Sequence, residues 1–471
     1  MKNSFAFILA ALLFNGLSAQ VLNKLETAGS SGIDNFSRVA SSGSNALVVA
    51  GILGGGTSIY LGADTLSAAP TADNPVLIKY RADGSYAWGF AGDDPSTAEI
   101  GQLLVAADGS IYIAGTFTDS ITIGYKQNTA IIRKDPAQLQ SFDPFVAKLD
   151  SGGRVLWTRV FENDGFNTAT AIALSGNTVY VSGDMEKTLY YDGGNDSLEV
   201  SFKSGFIFGL SAATGAVTKK MAMEGRSFDA AVTVAGMAVN SAGKLLVAGH
   251  FTDSVDFDPS GASQRLFNGG TGGDIFLSGY DTASSFSYFL HRQAGGTDDD
   301  IASDFALDAS DHVWLAGYTA SSSWSFGSAT INATGGTEDI LVLHFDNSGN
   351  PVKGINMGNT NTSEAFAIDV FGAGDVWVGG IFKGVLDFDP GTGTFSDTAS
   401  TTFASGFIAK YDRQLGYLSS FKVGDKTADE SVMGLAVRSN DRVFATGQFQ
   451  SSNTDFDPGT STITATHNGD G

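Results

Sequence analysis

Cysteine is absent from the 471 residues. No disulfide, thiolate-bound zinc or thiol nucleophile can exist, which removes several enzyme classes before any motif is sought. Proline is scarce, at nine residues, and acidic side chains outnumber basic ones 50 to 27. The resulting net charge of −23 repels polyphosphate and anionic lipid surfaces, so nucleic acid is not an expected partner. Long apolar runs are missing as well. Phe5–Phe14 has ten residues, about half of the roughly 20 that a membrane-spanning helix requires. With Lys2 before it and Leu17-Ser18-Ala19 after it, the run has the form of a secretory signal peptide. Residues 1–19 are therefore expected to be cleaved, and the mature chain, starting near Gln20, to be secreted or held at the cell surface. The five histidines show no metal-ligand spacing, and neither H-E-x-x-H, G-x-S-x-G nor a phosphate-binding glycine loop occurs.

What the sequence has in abundance is glycine, 60 residues, in a repeated context. Short β-rich segments end in glycine as ALVVAG at Gly51, SIYIAG at Gly115, TVYVSG at Gly183, KLLVAG at Gly249, HVWLAG at Gly317, DVWVGG at Gly380 and RVFATG at Gly447. Seven copies at intervals of 63 to 68 residues define one period. Between consecutive copies lie three further apolar segments bounded by Gly, Asp, Asn and Ser, which makes four strands per period. In one period, TATAIAL (168–174) alternates as a strand, SGN turns, TVYVSG returns, and GFIFGL (205–210) and AVTKKMAM (216–223) form a second hairpin. Helical spacing is nowhere sustained.

Four-stranded units repeated seven times must cover their faces and protect their edges, and radial packing does both. The expected fold is thus all-β, a seven-bladed β-propeller over residues 20–471. A linear solenoid would need shorter coils. The last period supplies only two strands before Gly471. The N-terminal strand, Val21–Thr27, is accordingly expected to join that blade, the edge of Arg442–Phe449 to lack its partner, and the natural chain to continue with a third strand.

Three further strings narrow the comparison. FVAKLDSGG (145–153), GGTDDDIASDFALD (295–308) and the thrice-written Asp-Phe-Asp-Pro, starting at Asp256, Asp387 and Asp455, resemble the SBBP-type β-propeller repeats of exported bacterial surface proteins. The resemblance spans essentially the whole mature chain. It implies a repeat architecture and export, and it transfers no catalytic residue.

Asp-Phe-Asp-Pro falls in the long connection between the second and third strands of a unit. In extended backbone the two carboxylates point one way and the phenyl the other, so Phe257 could anchor while the acids converge. The pairs Asp256 and Asp258, Asp387 and Asp389, and Asp455 and Asp457 are accordingly candidate ligands for a hard cation such as Ca²⁺. A proline-locked Asx turn is the competing reading. A second acidic column, Asp34, Glu99, Asp300, Glu364 and Glu430, stands 16 or 17 residues before the repeat glycines. At the start of innermost strands it would ring the mouth of the channel, where like charges raise one another's pKa or call for a cation.

Two functions fit these features. One is a monomeric, non-enzymatic binding or scaffold module that engages a surface protein or glycan through loops on one face. The other is a polysaccharide hydrolase or lyase with acids such as Asp300 and Glu364 as general acid and base. A quasi-equivalent ring favours the first, because catalysis needs two carboxylates in unlike environments.

Overall fold

The computed structural model describes residues 5–14, 20–28, 34–41, 46–61 and 64–456, apart from 128, 135–141, 164, 262, 269, 284, 335–336, 425, 440–441 and 451–453. The described residues contain strands, turns and bends and no helix. They fall into two compact units. One comprises Ala40–Phe267 with Phe276–His291, and the other Met1–Val39, Asn268–Ile275 and Arg292–Gly471.

Six four-stranded antiparallel sheets follow one another along the chain, each built from four principal strands in sequence order. Their first strands are Asn35–Ser41, Ala98–Val105, Thr168–Ser175, Ala231–Val239, Asp300–Leu307 and Ser363–Val370. Within the first unit Ala98–Val105 packs beside Thr168–Ser175, which packs beside Ala231–Val239. Within the second, Asp300–Leu307 packs beside Ser363–Val370, and that beside Glu430–Ser439. First strand beside first strand is the arrangement of β-propeller blades.

The expected count of seven is not reached by contiguous blades. Glu430–Ser439 and Arg442–Phe449 are joined in a sheet by Phe5–Phe14 and then Gln20–Ala28. Phe5–Phe14 lies directly against Arg442–Phe449, with Phe5 opposite Phe449 and Leu13 opposite Arg442. Gln20–Ala28 pairs on its far side, Val21 opposite Leu13. In the full chain Phe5–Phe14, the expected leader, occupies the edge of Arg442–Phe449, and Val21–Thr27 pairs outside it. An open edge is a template for any extended apolar segment, and the N-terminal run is such a segment.

The repeat glycines mark one recurrent distortion. The first strands Ala98–Val105, Thr168–Ser175, Ala231–Val239, Asp300–Leu307 and Ser363–Val370 each pair with the second strand through a β-bulge, for example between Ala114/Gly115 and between Ala302/Asp304. The bulge drives a carbonyl over the neighbouring strand. A Cβ on Gly183 would sit 1.8 Å from the Thr168 oxygen, on Gly249 1.9 Å from that of Thr233, on Gly317 1.8 Å from that of Ile301 and on Gly380 2.0 Å from that of Glu364. Only glycine leaves room.

Consecutive blades are also clasped by side chains. Lys79 Nζ and Trp88 Nε1 both donate to the Ser151 carbonyl, at 2.5 and 3.1 Å. One period later Lys148 Nζ and Trp157 Nε1 donate to the Ala212 carbonyl, at 2.9 and 3.1 Å. Lys353 reaches the Gln414 carbonyl in the same way.

Candidate functional site

The long connection between second and third strands, expected from sequence to be a loop, holds a two-stranded hairpin in all six contiguous blades. Examples are Ser254–Asp256 with Arg265–Phe267 and Val385–Asp387 with Ser396–Thr398. Asp-Phe-Asp-Pro begins on the last residue of such a hairpin's first strand. Phe257 is fully buried and packs on Phe251 and Phe276, with ring centroids 5.7 and 4.8 Å away. Tyr280 Oη donates to the Phe257 carbonyl at 3.1 Å. The second copy repeats this: Phe388 packs on Phe382 and Phe407 at 5.3 and 5.2 Å, and Tyr411 Oη donates to the Phe388 carbonyl at 3.1 Å. In the third copy Phe456 packs on Phe449 at 5.4 Å.

The carboxylates serve the turn. Asp256 Oδ1 accepts the N–H groups of Asp258 (3.2 Å) and Gln264 (3.0 Å), and its Oδ2 accepts Arg226 Nη2 at 3.0 Å. Burial pushes its pKa up, but these N–H bonds and Arg226 outweigh burial and leave it below the usual carboxylate range. Asp258 Oδ1 accepts the Ser260 N–H at 2.8 Å. In the second copy Asp387 Oδ1 takes the N–H groups of Asp389 (3.1 Å) and Phe395 (2.8 Å), and Asp389 Oδ1 takes that of Gly391 (2.8 Å). Asp455 is half-buried, while Asp457 lies outside the described residues. A cation at Asp256 would have to displace three donors. Among the described residues, no three acidic or histidine side chains converge as a metal-binding group.

The acidic column splits by register. Asp300 pairs with Thr319, two residues before the Ala302–Gly317 pair, and Glu430 stands likewise two before Val432–Gly447. Both are buried, as is Asp34. Glu99 and Glu364 stand one residue nearer to the glycine's partner, opposite Thr116 and Ile381. Side chains alternate faces along a strand, so Glu99 is exposed and Glu364 half-exposed. Asp300 accepts the Ser321 hydroxyl at 2.7 Å, the Gly296 N–H at 2.6 Å and the Thr319 hydroxyl. Burial, followed by the neighbouring Asp274, raises its pKa against those bonds. Glu364 is raised by burial and then by Glu338, a neighbour not singled out from sequence.

Two other acids were missed because they lie mid-strand without a motif. Ile368 N–H donates to Asp304 Oδ2 at 2.9 Å while Phe305 N–H donates to Oδ1 at 2.8 Å. Asp369 receives the N–H groups of Val437 and Val370, both at 2.7 Å. Each carboxylate thus ties one first strand to the next. Burial pushes Asp304 up to about 6, with Arg38 opposing, and Asp369 up to about 7, with Asp304 adding to the rise. Because the folded state holds these protons more tightly than the unfolded chain, the stabilising contribution is complete below about pH 4. It is lost as pH rises through 6 and 7. His344 runs the other way. Stacked on Trp314 at 3.6 Å and 2.7 Å from His312 Nδ1, it is lowered to about 4 by burial, so its contribution is lost as pH falls from about 6.5 through 4. Chemical unfolding at pH 5 and 8 should therefore show a flatter profile in Asp304→Asn/Asp369→Asn than in the wild type, by roughly 1–3 kcal/mol. Equal slopes would remove the two acids from the pH response.

No protein-family model matches the chain, and no curated protein matches it. Similar solved structures include a protein of unknown function from Bacteroides caccae, 10% identical, TM-score 0.35, covering 75% of this chain and 94% of that one. Sqt1 from Chaetomium thermophilum is 11% identical, TM-score 0.32, with coverage of 89% and 96%. The extracellular domain of a protein described as a one component system of B. thetaiotaomicron is 10% identical, TM-score 0.19, with coverage of 94% and 82%. At these scores the likenesses carry no argument. The class rests on the chain's own strands: an all-β protein of β-propeller-like, four-stranded blades.

Proposed function

We propose that the protein is an exported, non-enzymatic binding or scaffold propeller of the SBBP repeat type, which engages a surface protein or glycan through the loops joining its strands. The observation that supports this reading is the use made of the acids. Asp256, Asp387, Asp300, Asp304 and Asp369 spend their oxygens on N–H and O–H groups of the same chain. The hydrolase or lyase alternative would set Asp300 against Glu364, yet the two stand in opposite registers, and the acid raising Glu364 is Glu338.

Glycan arrays and surface-protein capture with the exported protein test the proposal, and saturable binding without release of reducing ends is expected. Sequencing of the exported chain should begin near Gln20, so that Phe5–Phe14 leaves with the leader. Melts with and without Ca²⁺ should coincide. A calcium-dependent rise lost in Asp258→Asn/Asp389→Asn would instead place the cation in the Asp-Phe-Asp-Pro loops.

A further inference from the structure

Lys134 directly follows Ala130–Arg133, the second strand of the small hairpin in the second blade, and its side chain is only 2% exposed. Lysine is almost never buried so deeply unless its amine is engaged. The Lys134 N–H donates to the Asp119 carbonyl at 2.9 Å, which fixes the residue at the base of the hairpin. Its Nζ lies 3.7 Å from Oδ1 of Asp143, the fully buried first residue of the third strand, Asp143–Leu149. That same oxygen accepts Nδ2 of Asn163 at 3.0 Å, and Asn163 is fully buried as well. Amine, acid and amide therefore meet on one oxygen atom. The amide is held as an electrophile would be. Its Nδ2 also donates to the Phe142 carbonyl at 3.0 Å, while its Oδ1 accepts the Gly165 N–H, which draws electron density from Cγ. Bonds from the Phe142 N–H to the Gly165 carbonyl and from the Asn167 N–H to the Phe142 carbonyl, both 3.3 Å, tie the acid's segment to the amide's.

The fifth blade supplies the comparison. Asp339, also fully buried, opens its third strand, and Asn359 follows it at the 20-residue spacing that separates Asp143 from Asn163. There the acid serves the fold: Asp339 Oδ2 accepts the Thr334 N–H at 2.8 Å and Asn356 Nδ2 at 3.1 Å. The corresponding hairpin strands of the other five blades are followed by Ala68, Val200, Asn268, Asn332 and Ala399. Acid and amide recur, and the lysine belongs to the second blade. A buried ion pair by itself is a poor source of stability, because desolvation offsets its attraction.

We infer that Lys134 and Asn163 join in an intramolecular isopeptide bond, with Asp143 carrying the protons. Asp143 takes a proton from the lysine ammonium, and the free Nζ attacks Asn163 Cγ, whose oxygen is met by the Gly165 N–H. Asp143 then gives its proton to Nδ2, the Cγ–Nδ2 bond breaks and ammonia leaves. The surplus proton on Nζ passes through Asp143 to the ammonia, which departs as ammonium. One C–N bond has replaced another, and no oxidant, reductant or cofactor is consumed. Asp143 is the one of the two acceptors that can take up and release a proton, so it is the carrier and Asn163 the electrophile. This goes beyond the binding role proposed above. In a chain without cysteine it supplies the covalent staple that a disulfide would, fastening the hairpin to the segment that follows the outermost strand, Val155–Val160.

Peptide mapping of the full chain by mass spectrometry tests the inference. The expected result is a branched peptide containing both Lys134 and Asn163, lighter than its two parts together by about 17 Da, the ammonia lost, with no tryptic cleavage after Lys134. Lys134→Arg keeps the cation, and Asp143→Asn keeps an acceptor oxygen but cannot carry a proton. Both variants should yield separate peptides of undiminished mass. The wild-type map decides the question even where a variant fails to fold. Separate, unmodified Lys134 and Asn163 peptides from the wild type would overturn the inference. So would a link from Lys134 to Asp143 with loss of water, or a link to Asn163 that persists in Asp143→Asn.

Discussion

Alanine at Gly249 or Gly317 should unfold or severely destabilise the protein, by at least about 3 kcal/mol, at the upper end of what overpacking costs. The new methyl group would lie 1.9 or 1.8 Å from a backbone oxygen of the bulged first strand. Neither side of that contact is a flexible side chain that could turn away. Gly243, six residues before Gly249, is the internal control. It has φ 75° and nothing within 4 Å of the added Cβ, so Gly243→Ala should cost only the left-handed backbone penalty of about 1–2 kcal/mol. Comparable losses at 243 and 249 in denaturant titrations would show that the repeat glycine is a matter of backbone freedom and not of close approach.

Phe388→Ala should be the most damaging change within the Asp-Phe-Asp-Pro motif, costing about 3–5 kcal/mol. Its ring is 1% exposed and contacts two other phenyl rings, and its carbonyl holds the buried Tyr411 hydroxyl in place. Asp387→Asn keeps one acceptor oxygen for the N–H groups of Asp389 and Phe395 and should cost about 1 kcal/mol. If the aspartate exceeded the phenylalanine in effect, the motif would be an electrostatic device first and an anchor second.

The sequence made the period, the glycine-ended second strands and the all-β class legible, because four strands per 63 to 68 residues leave a strong pattern of alternation. The phenyl anchor was legible too, since Phe257 and Phe388 follow from strand alternation alone. The registers of the acids were not. Asp300 and Glu364 differ by one residue in distance from their glycines, and that single step decides between a buried and a half-exposed face. The bulge, where two residues of one strand face one of the other, carries no composition signal. The outer hairpins were hidden for a related reason: Ser120–Ile123 and Trp324–Phe326 are only four and three residues long. Asp304 and Asp369 act on N–H groups 64 and 68 residues away, a pairing that only the packed first strands create.

The most direct test of the account sets Asp300→Asn and Glu364→Gln beside the wild type in two assays, thermal melting and reducing-end release from a panel of polysaccharides. Acids that hold the fold predict no product from any of the three proteins and a lowered melting temperature for Asp300→Asn, whose carboxylate takes bonds from Ser321, Thr319 and Gly296. Product from the wild type, abolished by either substitution at unchanged melting temperature, would contradict the account and make the protein an enzyme.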